Sequence, residues 1–191
     1  MDVNERIEAL RRLMEEKGID IYIVPTADYH QSEYVGEYFK ARKYITGFSG
    51  SAGTAVITRD EAKLWTDGRY FIQAAKQLKG TIVELMKMGE PGVPSLEDYV
   101  GQILPEGGTI GFDGRVMAME EGCRYKKTAE QKNGRLLWKD DLIDQIWEER
   151  PRLSQEPVFE LDIQYAGETT KSKLSRIREV MRECKASVHL L

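Results

Sequence analysis

The sequence has few of the residues that common metal and nucleophile sites need. It contains only two histidines, His30 and His189, and two cysteines, Cys123 and Cys184. A histidine-rich metal site or a serine-histidine triad therefore has little to draw on. The cysteines form no CxxC pair, which argues against a zinc knuckle or a disulfide framework and predicts reduced thiols. The HExxH, GxSxG and Walker A patterns are absent too, so the residues by themselves indicate no catalytic apparatus.

Long apolar runs and a charge of one sign are also missing. The 28 basic and 32 acidic residues leave a net charge of −4, without the basic face that nucleic acid or an anionic membrane would need. No apolar run reaches the roughly 18 residues of a membrane span, and the N-terminus carries no apolar signal region. With 41% hydrophobic residues, the composition predicts a globular cytoplasmic protein with no nucleic-acid or membrane partner.

The sequence does contain an alternation of helix and strand patterns. Apolar residues at helical spacing predict a first helix around Ile7 to Met14, capped by Asn4 and ended by Gly18. Strands are predicted at 19–24, 54–58, 62–66, 81–88, 109–112 and 135–138, the second and third as a hairpin. Further helices are predicted after 67–69 and at 95–104, 119–132 and 142–147. This alternation predicts an α/β fold with helices covering a parallel or mixed sheet.

Two loops are candidate ligand-binding sites, and each also has a simpler structural interpretation. Gly47, Gly50 and Gly53 resemble a phosphate-binding loop, but a strand follows where a helix N-terminus is required, so a tight turn or close backbone approach is favoured. Asp67 and Arg69 follow a strand, where α/β proteins often place ligands. Asp67 is more simply an N-cap for the next helix, and Arg69 a surface residue or its ion-pair partner.

Histidine and tryptophan also have structural interpretations. His30 lies beside Glu33 and Tyr34 and suits a base or a ligand. Because no second histidine lies nearby, a structural histidine is favoured. Three tryptophans are predicted to be core or half-buried residues: Trp65, Trp138 and Trp147.

The end of the sequence repeats its beginning. Residues 6–24 align without gaps on residues 173–191, and the apolar positions coincide. Residues 150–157, which precede the second of these two segments, carry two prolines among mostly polar residues and have linker composition. One interpretation is that any amphipathic helix leading into a strand matches in this way. The other is a second copy of one domain type, which gives a first domain at 1–150, a linker at 151–168 and a truncated second domain at 169–191. Thr169 or Thr170 then caps a helix, and 187–191 forms a strand.

Three ordered strings carry a family resemblance. They are ADYHQSEY at 27–34, ITGFSGSAGTAVIT at 45–58 and LWTDGRYFIQAA at 64–75. Together they resemble the N-terminal domain of the aminopeptidase P (Xaa-Pro aminopeptidase) group of the creatinase/prolidase family. Shorter pieces at 85–89, 103–107 and 144–151 follow in the same order, so the resemblance covers essentially the whole chain.

The resemblance implies a fold and a parent enzyme. The expected fold is a three-layer α/β sandwich with a mixed sheet of ribonuclease-H-like type. The expected parent is a metallopeptidase that removes the N-terminal residue from short peptides with proline second. Its two divalent metals, usually manganese, belong to a pita-bread catalytic domain that this chain lacks. The chain itself is then expected to hold no catalytic residue, no metal ligand and no cofactor.

The resemblance also implies a role for the N-terminal domain, which in this family gates the active-site mouth and forms contacts within a homodimer. The residues expected to face the substrate entrance or a partner subunit are His30, Tyr34, Phe48, Arg69 and Tyr70.

Two other functions stay open. A free-standing binding or oligomerisation module of the same fold would lack peptidase activity. A ribonuclease-H-like nuclease would need several carboxylates converging on metals, for which Asp20 and Asp67 are the nearest candidates.

Overall fold

The structure, a computed structural model, describes residues 1–190. Its first unit forms a six-stranded sheet covered by helices. The strands are β1 (Ile21–Pro25), β2 (Thr54–Thr58), β3 (Ala62–Thr66), β4 (Val83–Lys87), β5 (Thr109–Phe112) and β6 (Arg135–Leu137). The helices are α1 (Val3–Lys17), α2 (Ala41–Thr46), α3 (Phe71–Gln77), α4 (Leu96–Ile103), α5 (Met119–Glu130), α6 (Leu142–Ile146), α7 (Ile163–Ala166) and α8 (Thr170–Glu183). A short 3-10 helix spans Glu37–Phe39.

The sheet is mixed, with the order β4-β3-β2-β1-β5-β6. β2 is antiparallel to both β1 and β3, whereas the pairs β3–β4, β1–β5 and β5–β6 are parallel. The predicted hairpin of β2 and β3 is confirmed. The consecutive strands β1, β2 and β3 pair in the centre of the sheet. Connections that contain helices then place β4 next to β3, β5 next to β1 and β6 next to β5, as βαβ units commonly do.

Two apolar clusters, one on each face of the sheet, make three layers. Successive side chains of a strand point to opposite faces. Tyr22 and Val24 of β1 belong to one cluster, with apolar residues of α1, α2, α3 and α6. Ile21 and Ile23 belong to the other, with apolar residues of α4 and α5. β1 is therefore buried on both faces, and the predicted α/β fold with a helix-covered mixed sheet is confirmed.

Two local predictions in the first part of the chain are wrong. Asp2, and not Asn4, caps α1, because Asp2 and Glu5 form a reciprocal capping box. Asn4 lies within the first turn, and its side-chain oxygen accepts a hydrogen bond from the Ile82 backbone N–H at 2.9 Å. Trp138, expected to be at least half buried, is 53% exposed. It follows β6, the edge strand, where fewer elements are available to cover a side chain.

The chain divides into a first unit, Met1–Ser154, and a second unit that begins at Gln155. In the second unit, Thr169 caps α8 by accepting a hydrogen bond from the Ser172 N–H, and neither α7 nor α8 contains a buried residue. α7 lies inside the stretch expected to be a linker. Residues 187–190, expected to form a strand, pair with no strand, since the described part of this unit offers none to bond with. Position 191 of that prediction lies outside the described residues.

Candidate functional site

Four loops of the first unit meet at the end of the sheet where the parallel strands terminate. We call this end of the sheet the loop edge. β1, β3, β4 and β5 all end there, and antiparallel β2 begins there. The register sets Pro25 opposite Thr54 and Thr54 opposite Trp65. Segments 26–36, 47–53, 67–70 and 113–118 therefore leave or enter the sheet side by side. Ligand sites of α/β proteins commonly lie outside the carboxyl ends of the strands.

Arg42 of α2 holds segment 47–53 in place. The residue is 3% exposed, and its guanidinium donates hydrogen bonds to the carbonyl oxygens of Phe48 and Gly50. Its Nε donates to Thr26 Oγ1 at 2.9 Å. Burial lowers the pKa of Arg42 to about 10, because desolvation disfavours a charge that no carboxylate among residues 1–190 pairs with. The sequence interpretation missed this residue.

Phe48 and Tyr70, both predicted site residues, contact each other. Their rings pack edge to face with centroids 5.7 Å apart. A hydrogen bond of 2.7 Å joins Tyr70 Oη to Ser51 Oγ and lowers the pKa of Tyr70. A Cβ atom on Gly50 would lie 2.8 Å from Tyr70 Cδ1 and closer still to the Phe48 ring. Gly50 is therefore a point of close approach, which confirms the turn interpretation of the glycine-rich loop.

Asp67 and Arg69 form a local ion pair beside these rings. Asp67 Oδ1 accepts hydrogen bonds from the Arg69 backbone N–H at 3.0 Å and from its Nε at 2.9 Å, and Oδ2 accepts from Nη2 at 2.9 Å. These bonds lower the pKa of Asp67. The ion pair is confirmed, whereas the N-cap is wrong, because α3 begins after Tyr70 and has no side-chain cap. The Arg69 guanidinium lies 5.4 Å from the Tyr70 ring centroid.

Tyr34 borders a cleft of about 360 Å³ at the loop edge, which we call the loop-edge cleft. The side chain of Tyr34 is 78% exposed. The cleft is lined by residues of the β1–α2 connection, α2 and the glycine-rich loop: Thr26, Glu33, Tyr34, Val35, Phe39, Lys40, Arg42, Lys43, Ser49, Gly50 and Ser51. Tyr34 thus lies across the cleft from the glycine-rich loop, which contains Phe48 and is bonded to Tyr70 through Ser51. The pKa of Arg69 is raised chiefly by its hydrogen bonds to Asp67, and the charge of the neighbouring Glu33 adds to this.

His30 is exposed and stands apart from the other four predicted residues. Its backbone N–H donates to Asp28 Oδ1 at 2.8 Å, and the Ser32 N–H donates to the same oxygen at 2.9 Å. These bonds, led by that of Ser32, lower the pKa of Asp28. The turn therefore depends on Asp28 and on the backbone of His30. The imidazole itself is exposed.

The described residues do not fit a metal centre. Within residues 1–190, no group of three or more His, Cys, Asp or Glu side chains is arranged to hold a metal ion. The nuclease candidates are also separated, since Asp20 precedes β1 while Asp67 follows β3, and these two strands run in the same direction. They lie at opposite ends of these strands, more than about 20 Å apart, because Trp65 is level with Pro25 and each strand residue advances about 3.3 Å. Asp20 instead accepts a hydrogen bond from the Thr109 N–H at 2.8 Å.

None of the helices in residues 1–190 combines the length and apolar character that crossing a membrane requires.

The sequence matches two family models with the same description. The model of the creatinase/prolidase N-terminal domain matches residues 6–146, and a second model of that description matches residues 149–191. The first match includes every element of the sheet and the whole loop edge.

Curated and solved relatives agree with these matches. Aminopeptidase P2 of Arabidopsis thaliana is 41% identical over 97% of this chain, and a probable Xaa-Pro aminopeptidase P of Coprinopsis cinerea is 41% identical over 94%. The solved X-prolyl aminopeptidase of Caenorhabditis elegans, described as a cytosolic enzyme with a di-nuclear active site, superposes with a TM-score of 0.87 at 35% identity over 97% of this chain. These matches cover 27%, 29% and 32% of the relatives. The chain therefore spans less than a third of their length.

Proposed function

This chain belongs to the creatinase/prolidase N-terminal domain family, and we propose that it is the non-catalytic N-terminal part of a metal-dependent Xaa-Pro aminopeptidase. One observation carries the proposal: 97% of the chain aligns with an aminopeptidase P at 41% identity, yet covers only 27% of that protein. The longer protein is a hydrolase that removes the N-terminal residue from short peptides with proline second. Bond cleavage is the work of a domain outside this chain.

The proposal includes an arrangement of domains. Residues 1–150 are the first domain, 151–168 the connection and 169–191 the start of a second domain of the same type. The separate family match at 149–191 supports this division. The two divalent metals, usually manganese in this family, are held in the catalytic domain. The di-nuclear active site described for the Caenorhabditis elegans relative supports two metals in the longer protein.

The loop edge is proposed to gate access of peptides to the active site and to contact the second subunit of a homodimer in the cytoplasm. Tyr34, Arg69 and Tyr70 form this surface, with His30 at its margin, whereas Phe48 is fully buried and supports the surface by packing against Tyr70. Three observations support it: Phe48 packs on Tyr70, Arg69 lies over the Tyr70 ring, and Tyr34 is exposed on the adjoining cleft. The buried Phe48 ring holds the half-buried Tyr70 in place, and such a preformed surface loses little side-chain freedom on binding.

The first experiment compares this chain with the longer protein from the same gene. Both are incubated with manganese and an Xaa-Pro tripeptide, and release of the N-terminal residue is measured. We expect turnover only from the longer protein, with loss after chelation. Metal-dependent turnover by residues 1–191 alone would contradict the non-catalytic role. A stop codon directly after Leu191 would favour the alternative, a free-standing module without peptidase activity.

The second experiment tests the gate in the longer protein. Arg69→Ala removes an exposed charge at the loop edge, and Arg59→Ala removes an exposed charge at the opposite end of the same hairpin. We expect Arg69→Ala to raise KM about two- to fivefold and to alter the preference for peptide length, because an exposed charge contributes up to about 1 kcal/mol. Arg59→Ala should change neither. Equal kinetics for the two variants would exclude the loop edge from the substrate path.

A further inference from the structure

Arg150 is a buried cation at the start of the proposed connection at 151–168. Its side chain is only 7% exposed, although the next residue, Pro151, is exposed. The Arg150 Nη1 atom donates hydrogen bonds to Asp141 Oδ2 at 2.6 Å and to Asp144 Oδ1 at 3.0 Å. Because a buried charge is tolerated only when it is paired and hydrogen-bonded, these contacts hold the guanidinium in one place.

One side of Arg150 holds the connection between β1 and α2. Its Nε donates a hydrogen bond to the Tyr38 carbonyl at 3.0 Å, and the guanidinium carbon lies 4.0 Å from the centroid of the Tyr38 ring. The Tyr38 ring packs edge to face on Phe39, which packs in the same way on Tyr29. Phe39 lines the loop-edge cleft, and Tyr29 belongs to segment 26–36. Arg150 therefore reaches this segment of the loop edge through two ring contacts.

A single buried carboxylate links Arg150 to a second segment of the loop edge. The side chain of Asp141 is 7% exposed, and its Oδ2 also accepts a hydrogen bond from Arg115 Nη2 at 3.1 Å. Arg115 belongs to segment 113–118, and its guanidinium donates to both carboxylate oxygens of Asp113, at 2.9 and 3.0 Å. Charge-assisted hydrogen bonds of this kind fix geometry as well as contributing energy. Asp141 therefore couples the position of Arg150 to that of segment 113–118.

The two segments that Arg150 reaches are also joined to each other. Gln31 Nε2 of segment 26–36 donates a hydrogen bond to the Val116 carbonyl of segment 113–118 at 3.2 Å. Coupling between distant sites is carried by contiguous hydrogen bonds and packed side chains of this kind. A change at Arg150 is therefore expected to affect both segments together.

We propose that Arg150 is a positioning residue that ties the connection at 151–168 to the loop edge, and that access of peptides at the loop edge depends on it. In this role Arg150 touches no substrate and acts through Tyr38 and Asp141, whose positions it fixes. The proposal rests on the proposed function, and it adds to the gate a controlling residue that lies outside the loop edge.

The coupling is measured first on the 191-residue chain by amide hydrogen exchange and NMR. Arg150→Met is the informative variant, because methionine replaces the aliphatic stem without the charge. The reporters are the amides of Gln31, Ser32 and Val116, which bond within their own turns and not to Arg150. We expect Arg150→Met to accelerate exchange at these amides about tenfold, because the turns open more often. Parent exchange rates at all three in a folded Arg150→Met chain would overturn the proposal.

Lys63→Met is the matched control, because Lys63 is also a buried cation held by two carboxylates, those of Glu61 and Glu84. Lys63 lies near the start of β3, away from the loop edge, so its loss should lower stability without accelerating the three reporters. Equal acceleration in the two variants would identify a general loss of stability and overturn the positioning role. Arg150→Lys keeps the charge but not the planar fork, so it should show a smaller acceleration than Arg150→Met. It takes the place of Arg150→Met if that chain does not fold.

The longer protein gives a second readout that separates this proposal from the proposed function. KM for an Xaa-Pro tripeptide should rise about three- to tenfold in Arg150→Met with kcat unchanged, and should return partly in Arg150→Lys. Lys63→Met should leave KM at the parent value. A longer protein without any Xaa-Pro peptidase activity overturns the proposed function, and hydrogen exchange still decides whether Arg150 positions the loop edge. An active protein with the parent KM in Arg150→Met overturns the dependence of peptide access on Arg150 alone.

Discussion

Arg42 offers the most direct test of how the loop edge is built. Replacing it with alanine removes three hydrogen bonds and leaves the carbonyl oxygens of Phe48 and Gly50 without a donor. Each buried carbonyl left unpaired costs about 1–3 kcal/mol. Removing the guanidinium also relieves the desolvation of a buried, unpaired charge, which offsets part of that loss. We therefore expect Arg42→Ala to lower the free energy of unfolding by about 2–4 kcal/mol.

Urea unfolding followed by tryptophan fluorescence is the appropriate assay. All three tryptophans, Trp65, Trp138 and Trp147, precede residue 155, so the signal reports only on the first unit. Arg42→Lys should recover about half of the loss, because one ammonium cannot reproduce the planar fork of a guanidinium. Arg59→Ala, at an exposed turn, should stay within about 0.5 kcal/mol of the parent chain. A loss below about 1 kcal/mol for Arg42→Ala would refute the view that Arg42 fixes the loop.

Three further substitutions test packing and burial in the first unit. Gly50→Ala should cost about 1–3 kcal/mol, because its Cβ would meet the Phe48 ring. Gly101→Ala in α4 meets only ordinary contact at 3.6 Å and should stabilise by up to about 1 kcal/mol, so equal melting temperatures would contradict this steric account. Burial raises the pKa of Glu121 above its ordinary value of 4.5, despite a hydrogen bond from Tyr125. The contribution of the Glu121 carboxyl to stability is therefore fully present below pH 4.5 and is lost as the pH rises through its folded pKa. Glu121→Gln should then be more stable than the parent chain at pH 7, with no difference near pH 3 in urea titrations. A less stable Gln variant at pH 7 would contradict the sign.

The elements predicted from local patterns match the structure most closely. The bounds of β2, β3 and β5 agree with the predicted strands at 54–58, 62–66 and 109–112. These strands are β-branched or apolar runs bounded by glycine or by polar turns, and both signals are local. Ser95, predicted to begin a helix, does cap α4 by accepting a hydrogen bond from the Asp98 N–H. Where the sequence carries the whole cause of a structure, the prediction holds.

The misplaced residues depend on partners that are distant in sequence or that compete locally. Arg42 shares its helical spacing with Ile45 and Thr46, which are also buried. That spacing indicates that Arg42 is buried. The reason for a buried cation becomes clear only in the structure, where its guanidinium donates to the carbonyls of Phe48 and Gly50. The sequence predicts Asp67 as an N-cap, but its carboxylate accepts a hydrogen bond from the Arg69 N–H two residues further on. Of the contacts in the candidate site, only the Asp67–Arg69 ion pair could be predicted from residues adjacent in sequence.

The loop edge acts as a rigid surface because segment 47–53 is tied to the sheet from several sides. Thr26 donates to the Gly53 carbonyl through its backbone N–H at 3.1 Å and its hydroxyl at 2.7 Å. Thr66 Oγ1 donates to the Ala52 carbonyl at 2.7 Å, and Arg42 donates to the carbonyls of Phe48 and Gly50. A loop so constrained loses little conformational entropy when a ligand binds. Substitution of an exposed group beside this loop, such as Arg69, should therefore change affinity while leaving stability intact, whereas substitution of Arg42, Thr26 or Thr66, which hold the loop, should change both.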